Sequence, residues 1–223
     1  DHSASVAMFS GIIARQALRN SVSNKEALLI AQCGLYHDAG KSCIPNAVLN
    51  KPGAFTPEEY EIMKTHADLG HRELMQAIAK GAPIDEVITI VALEHHERFL
   101  GHGYPHRKKG RKEEDHEHGI HRYARIVAIA DTYSALLMKR IYKPAMPAEQ
   151  AVKVMCDIAD KDFDPEIFYP FIENIKESIT KTDEKRKAYK SGIIQINSNE
   201  SAASAIEDAR HFEHQSKEKP SRS

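Results

Sequence analysis

An all-α fold is predicted by three features of this sequence. Apolar residues recur three and four positions apart in segment after segment, no alternating strand pattern of useful length occurs before residue 190, and residue 56 opens a helix-capping signature. Val6, Phe9, Ile13 and Ala17 predict a first amphipathic helix over 4–19, and Leu28, Ala31 and Leu35 a second over 25–39. In "TPEEYEIMKTH", Thr56 is the N-cap, Pro57 takes the first helical position, and Glu59 falls where its side chain can return a hydrogen bond to the cap. Further helices are predicted over 67–79, 84–96, 121–139, 147–160 and 165–180, separated by glycine, proline or charged stretches.

The texture changes at about residue 181, so the body is read as 1–180 and the polar remainder as a C-terminal extension over 181–223. Within it Ala202, Ala205, Ile206, Ala209 and Phe212 share one helical face and predict a short appended helix over 200–213. A hydrophobic fraction of 41% in 223 residues is enough for a real core. The 31 basic residues nearly cancel the 32 acidic ones, which excludes the one-signed field of a general DNA binder and means any anion is gripped locally. Cys33, Cys43 and Cys156 are odd in number and widely spaced, as expected of core thiols in a reducing compartment. No apolar run approaches the ~18 residues of a membrane span, and "DHSASVAMFS" lacks the regions of a secretory signal, so a cytoplasmic segment without membrane contact is expected. Neither a phosphate-binding glycine loop nor a Gly-x-Ser-x-Gly nucleophile motif is present.

Chemistry is signalled by titratable residues on faces that should be buried. The stripe Leu28, Ala31, Leu35 continues to Asp38; Ile84, Ile88 and Val91 continue to His95; Ile62 leads to His66 and Leu69; and Asp131 lies inside "ARIVAIADTYSALL", the most apolar segment. Burying an ionised carboxylate without a partner is prohibitively costly, so these side chains need a shared counter-charge. A metal cluster supplies one, since imidazole and carboxylate without thiolate suit Fe, Mn, Ni or Zn. His37-Asp38 and His95-His96 are adjacent pairs, and helical neighbours point about 100° apart, so each pair is better placed to reach two ions than to chelate one.

"HDAGK" (37–41), "KTH" (64–66), "HHER" (95–98), "GYP" (103–105) and "ARIVAIADTYSAL" (124–136), in this order, resemble the HD-GYP family of bacterial phosphodiesterases within the HD superfamily. The likeness covers about residues 1–180, including "IPNAVLNKPGAFTPEEYEIMKTH" and "AMPAEQAV". It implies an HD-domain helical bundle with the HD-GYP extension. It also implies hydrolysis of cyclic di-GMP to linear pGpG, GMP or both at a centre of two or three divalent transition-metal ions, Fe or Mn first and Ni or Zn next. By the resemblance, His37, Asp38, His66, His95, His96 and Asp131 match metal ligands, with Asp38 bridging, and His2 matches a ligand of members with a third ion. Lys41 matches the lysine facing the scissile phosphate, Gly103, Tyr104 and Pro105 form the signature loop beside the substrate, and Arg140 and Lys143 match basic ligand contacts. Metal coordination lowers the pKa of water toward about 7, and a pair of ions about 3.5–4 Å apart can hold the resulting hydroxide and stabilise both oxygens of in-line attack. Output domains of this kind often follow a sensor or receiver domain, which is expected upstream in the parent protein, and homodimerisation is compatible with the family.

The chain departs from the family's usual text at Leu100 and Ser134, where aspartates are common, and at Ile141, where proline is. The segment holding His116, His118 and His121 is longer than the family norm and reads as a solvated charged loop. Three functions remain open on the residues: the cyclic di-GMP phosphodiesterase, a receptor module that binds the nucleotide without turning it over, and an HD hydrolase of another nucleotide such as 3',3'-cGAMP.

Overall fold

The computed structural model describes residues 2–18, 22–110, 119–138 and 145–190. Helices α1 (His2–Ala17), α2 (Asn24–Tyr36), α3 (Asn46–Leu49), α4 (Pro57–Lys64), α5 (His66–Ala79), α6 (Glu86–Glu94), α7 (Arg122–Leu137), α8 (Ala148–Asp162) and α9 (Pro165–Lys190) follow in order, with a 3₁₀ helix at Ala39–Cys43. Among the described residues there is no strand, only an isolated bridge between Lys109 and Gly119, as the all-α prediction requires. None of the described helices is long and apolar enough to cross a membrane.

Local chemistry sets the helix starts. Ser23 accepts the Glu26 N–H and Asp85 the Val87 N–H, each side chain satisfying a donor the helix leaves unpaired. The reciprocal capping box at Thr56 and Glu59 forms as the sequence predicts, at 3.2 and 2.7 Å.

The first of two units, Asp1–Ile179, carries the core. Helix α7 is buried at Ile126, Val127, Ala128, Ile129 and Ala130 in succession, so it is apolar all round and must be enclosed. Helices α1, α2, α6 and α8 pack against it, while α5 packs on α6 and on the 3₁₀ helix. Phe9, Tyr133 and Phe171 meet edge to face at centroid separations of 5.0 and 5.3 Å, a geometry that aligns ring edges with π faces.

Several sequence expectations are corrected. Leu28 and Leu35 are 62% and 44% exposed, whereas α2 buries Ala27, Ile30, Cys33 and Gly34. The small face wins because α1 and α2 approach closely: a Cβ on Gly34 would lie 2.7 Å from Ser10 Oγ and 3.0 Å from Ala7 Cα. The buried stripe therefore runs on to His37 rather than to Asp38. Ile62 is also exposed, because α4 buries none of its residues. Of the cysteines only Cys33 is a core thiol, its pKa pushed up to about 12 by burial; Cys43 and Cys156 are exposed. Helix α2 ends at Tyr36 instead of reaching residue 39, since Gly40 must press against α5.

In the second unit, Thr180–Ser223, the described residues continue α9 to Lys190, past the expected end at 180. The sequence "KTDEKRKAYK" contains strong helix formers and neither glycine nor proline, so nothing stops the helix there. The helix predicted over 200–213 lies outside the described residues, as do Arg140, Ile141, Lys143, His116 and His118.

Candidate metal centre

The predicted ligands arrive from six elements, with His2 opening α1. His37 caps α2, Asp38 opens the 3₁₀ helix, His66 begins α5, His95 and His96 follow α6, and Asp131 lies in mid α7. Their donor atoms gather in two groups, Asp38 with His66, His95 and His96, and His2 with His37 and Asp131, each within 4.8 Å internally.

Asp38 is central. Its Oδ1 lies 3.4 Å from His66 Nε2 and 3.8 Å from His95 Nε2, while Oδ2 lies 3.2 Å from His37 Nε2 and 2.5 Å from Lys41 Nζ. His37 Nε2 in turn stands 3.9 Å from Asp131 Oδ1, which accepts His2 Nε2 at 2.9 Å. The pair His37-Asp38 thus spans the two groups, as adjacency predicts. His95-His96 does not, because His95 is the C-cap and His96 sits in the following turn, where the helical 100° step no longer applies; both face one group.

Each core imidazole is aimed by its own helix. The Nδ1 atoms of His37, His66 and His95 pair with the carbonyls of Gly34, Met63 and Ala92, three residues back, at 2.8, 2.7 and 2.9 Å. A carbonyl only accepts, so Nδ1 carries the proton and the Nε2 lone pair is left facing inward, the arrangement that orients a metal-ligating histidine. The sequence reading missed these partners, since a backbone acceptor leaves no residue code. It also missed that Ser134, fully buried, holds His2 through Oγ to Nδ1 at 3.0 Å.

Electrostatics agree with the geometry. Burial holds the His95 pKa down to about 3 and pulls His96 and His66 below the usual histidine range, so these rings are neutral donors near pH 7. For His37 burial acts the same way, but the Asp38 carboxylate 3.2 Å from Nε2, together with Asp131, outweighs it and raises the pKa. Burial would raise Asp38 and Asp131; His37 and Lys41 beside the first and His2 and His37 beside the second reverse this, leaving Asp131 at about 2 and Asp38 far below the carboxylate range. Buried His37 Nε2 and Asp38 Oδ1 have no hydrogen-bond partner. Polar atoms so placed are costly unless a cation completes them, and the neutral imidazole and carboxylate donor set fits a first-row divalent ion.

The Gly103-Tyr104-Pro105 loop borders the first group. The Tyr104 ring stacks on His96 at 4.6 Å and 27°, and Lys64 Nζ approaches its face at 5.9 Å. Leu100, where the family's aspartate is absent, is exposed and belongs to neither donor group.

Comparison with known proteins agrees with this architecture. The HD domain family model matches residues 2–167. A protein of Thermotoga maritima named cyclic di-GMP phosphodiesterase is 37% identical over 79% of this chain and 44% of its own length. Vibrio cholerae 3'3'-cGAMP-specific phosphodiesterase 3 is 32% identical over 75% of this chain and 33% of its own. The chain therefore spans less than half the length of either relative. The solved structure of Bd1817, a HDG"Y"P protein from Bdellovibrio bacteriovorus, superposes with a TM-score of 0.59 at 20% identity, covering 78% of this chain and 51% of that one, which supports the shared fold. With the family match spanning α1 through the start of α9 and the His-Asp and Gly-Tyr-Pro motifs bordering one donor cluster, the chain belongs to the HD domain family, in its HD-GYP branch.

Proposed function

We propose that this domain is a metal-dependent phosphodiesterase that opens cyclic di-GMP to linear pGpG, GMP or both. The observation that carries the reading is the pair of donor groups joined through His37-Asp38, with the Nδ1 of three imidazoles engaged by carbonyls three residues back. Asp38, His66, His95 and His96 would hold one ion and His37, Asp131 and His2 its neighbour. By the family resemblance iron or manganese is expected first and nickel or zinc next, all of them first-row ions that imidazole and carboxylate can hold. When bound, such ions lower the pKa of water and withdraw charge from a phosphoryl oxygen.

The chain's own residues then bind and orient. The Lys41 ammonium, 2.5 Å from Asp38, would neutralise the equatorial phosphate charge that grows during displacement. Gly103 lets the loop lie against His96–Arg98, where a Cβ would come 2.4 Å from the His96 carbonyl oxygen. Burial raises the Tyr104 pKa, so its hydroxyl stays protonated as a donor toward substrate, and Pro105 stiffens the turn that presents it. Arg140 and Lys143 would add phosphate contacts. Acting on a cytoplasmic second messenger, the domain would work in the cytoplasm with a sensor or receiver domain upstream in the parent protein, as a homodimer or alone, and with no role on DNA.

The test is to reconstitute the chelator-treated protein with Mn(II), or with Fe(II) under anaerobic conditions, and follow cyclic di-GMP and 3',3'-cGAMP by chromatography. Linear pGpG or GMP from cyclic di-GMP supports the proposal. Bound but intact nucleotide would identify a receptor instead, a reading favoured by Leu100 and Ser134, and faster cleavage of 3',3'-cGAMP would reassign the substrate.

A further inference from the structure

Among the described residues, three buried carboxylates stand outside both donor groups, Asp164 paired with Arg125 and two glutamates around the end of α6. Glu94 and Glu97 are 3% and 2% exposed, at the end of α6 and just beyond it. A buried carboxylate persists only when its oxygens are fully engaged, so its partners define its task. Glu97 Oε1 accepts the His106 backbone N–H at 2.7 Å, and Oε2 accepts the Lys108 backbone N–H at 3.0 Å. Glu94 accepts Lys108 Nζ at 2.5 Å and the His121 N–H at 2.7 Å. Residues 97–108 are therefore a loop closed onto its own first residue, and Tyr104 lies inside it.

The closure leaves little freedom at the tyrosine. Its N–H donates to the His96 carbonyl at 3.2 Å, and the adjacent Gly103 packs so tightly that a Cβ would sit 2.5 Å from the Arg98 nitrogen and 2.6 Å from Glu97 Cα. The ring then has one stable place, stacked on His96. Releasing residues 106 and 108 would free the C-terminal half of the loop while leaving every residue of the donor groups untouched.

We propose that Glu97 is a positioning residue that acts through the backbone of His106 and Lys108 to set the Tyr104 ring against His96 and so shape the substrate-facing edge of the site. This rests on the reading of Tyr104 as a substrate contact. General-base and ligand roles are excluded by the bonding: both oxygens are committed to backbone donors, and Glu97 is in neither group that could hold an ion. Glutamine matches only half the arrangement, because its oxygen accepts one N–H while its NH₂ faces the other donor. Aspartate is one methylene too short to meet both.

The chain contains no tryptophan, so Tyr104→Trp introduces a single emitter at the ring in question. Emission and acrylamide quenching of metal-loaded Tyr104→Trp protein are compared with those of Tyr104→Trp/Glu97→Gln, beside metal content and helical circular dichroism. The expected result is a red shift and easier quenching in the double variant with metal content and helicity unchanged. In the Tyr104 background, Glu97→Gln is expected to raise KM for cyclic di-GMP about tenfold or more, exceeding its effect on kcat. Glu97→Asp gives the same comparison should the glutamine variant be insoluble. Unchanged emission would overturn the proposal, and a shift accompanied by metal loss would reduce Glu97 to general support of the centre. Absence of hydrolysis by the wild-type protein would sink the phosphodiesterase reading alone, since the emission comparison still decides the clamp.

Discussion

Gly40→Ala is the most discriminating single change the structure offers. Gly40 sits two residues after Asp38, where the 3₁₀ helix meets α5, and an alanine Cβ there would lie 2.0 Å from the His66 carbonyl oxygen and 2.3 Å from the Gly70 nitrogen. Cβ atoms essentially never approach heavy atoms within 3.0 Å, so about 1 Å must open between the 3₁₀ helix and α5. Both obstacles are backbone, and no rotamer change relieves them. Overpacking on this scale costs about 1–3 kcal/mol or more, and it separates the segments that carry Asp38 and His66, whose side chains now approach to 3.4 Å. A misplacement of about 1 Å is worth about a hundredfold in activity. Urea unfolding of chelator-treated protein and metal per chain by mass spectrometry should both fall. Gly11→Ala is the control: its added Cβ meets only ordinary contacts at 3.7 and 3.8 Å, and alanine in a helix interior should be neutral or stabilising by up to about 1 kcal/mol. A Gly40→Ala protein with wild-type stability and full metal would refute the argument from close approach.

Asp38→Ala removes the carboxylate at the centre of the site and should cost both metal content and hydrolysis; full occupancy in that variant would overturn its assignment as a ligand. Ser134→Ala frees His2 Nδ1 while sparing the Asp38 group, so titration should show one class of ion weakened about 10–100-fold, and unchanged binding would mean the serine is incidental. Metal-stripped protein should lose stability in acid. Unfolded histidine titrates near about 6.5, whereas folded His95 titrates at about 3 and His66 and His96 are also lowered. Below about pH 6.5 the unfolded chain therefore binds the extra protons; His95 alone accounts for about 2 kcal/mol between pH 6.5 and 5. The raised His37 contributes stability that is complete below about pH 6.5 and is lost as pH rises through its folded value. Glu97, raised by burial, opposes the acid trend as one group against three. Denaturation at pH 5 and 6.5 should show the lower stability at pH 5, and greater stability at pH 5 would contradict these assignments.

Much of the candidate site was legible before any coordinates. Ile88 and Val91 lead on one face to His95, and the structure buries all of them, because the helix carries its apolar stripe to the donor group at its end. The same logic failed on α2. Leu28 and Leu35 are larger than Ala27 and Gly34, so a hydrophobicity stripe chooses the leucines, yet close helix approach rewards the smaller face, and only a partner helix can reveal that. Glu94 and Glu97 were visible as acids near an apolar run but carried no signal of purpose, since their partners are largely backbone N–H groups, which leave no residue code.

By itself the sequence determined the helical class, the capped start of α4, the residue types able to hold a metal, and the family motifs, because periodicity, capping and donor chemistry are local properties of neighbouring residues. Tertiary structure alone decided that His37-Asp38 spans two donor groups while His95-His96 serves one, that Ser134 holds His2, and that Glu97 closes the loop bearing Tyr104. Those outcomes depend on where helix ends stop and on backbone groups brought together from distant segments, and no spacing along the chain encodes either.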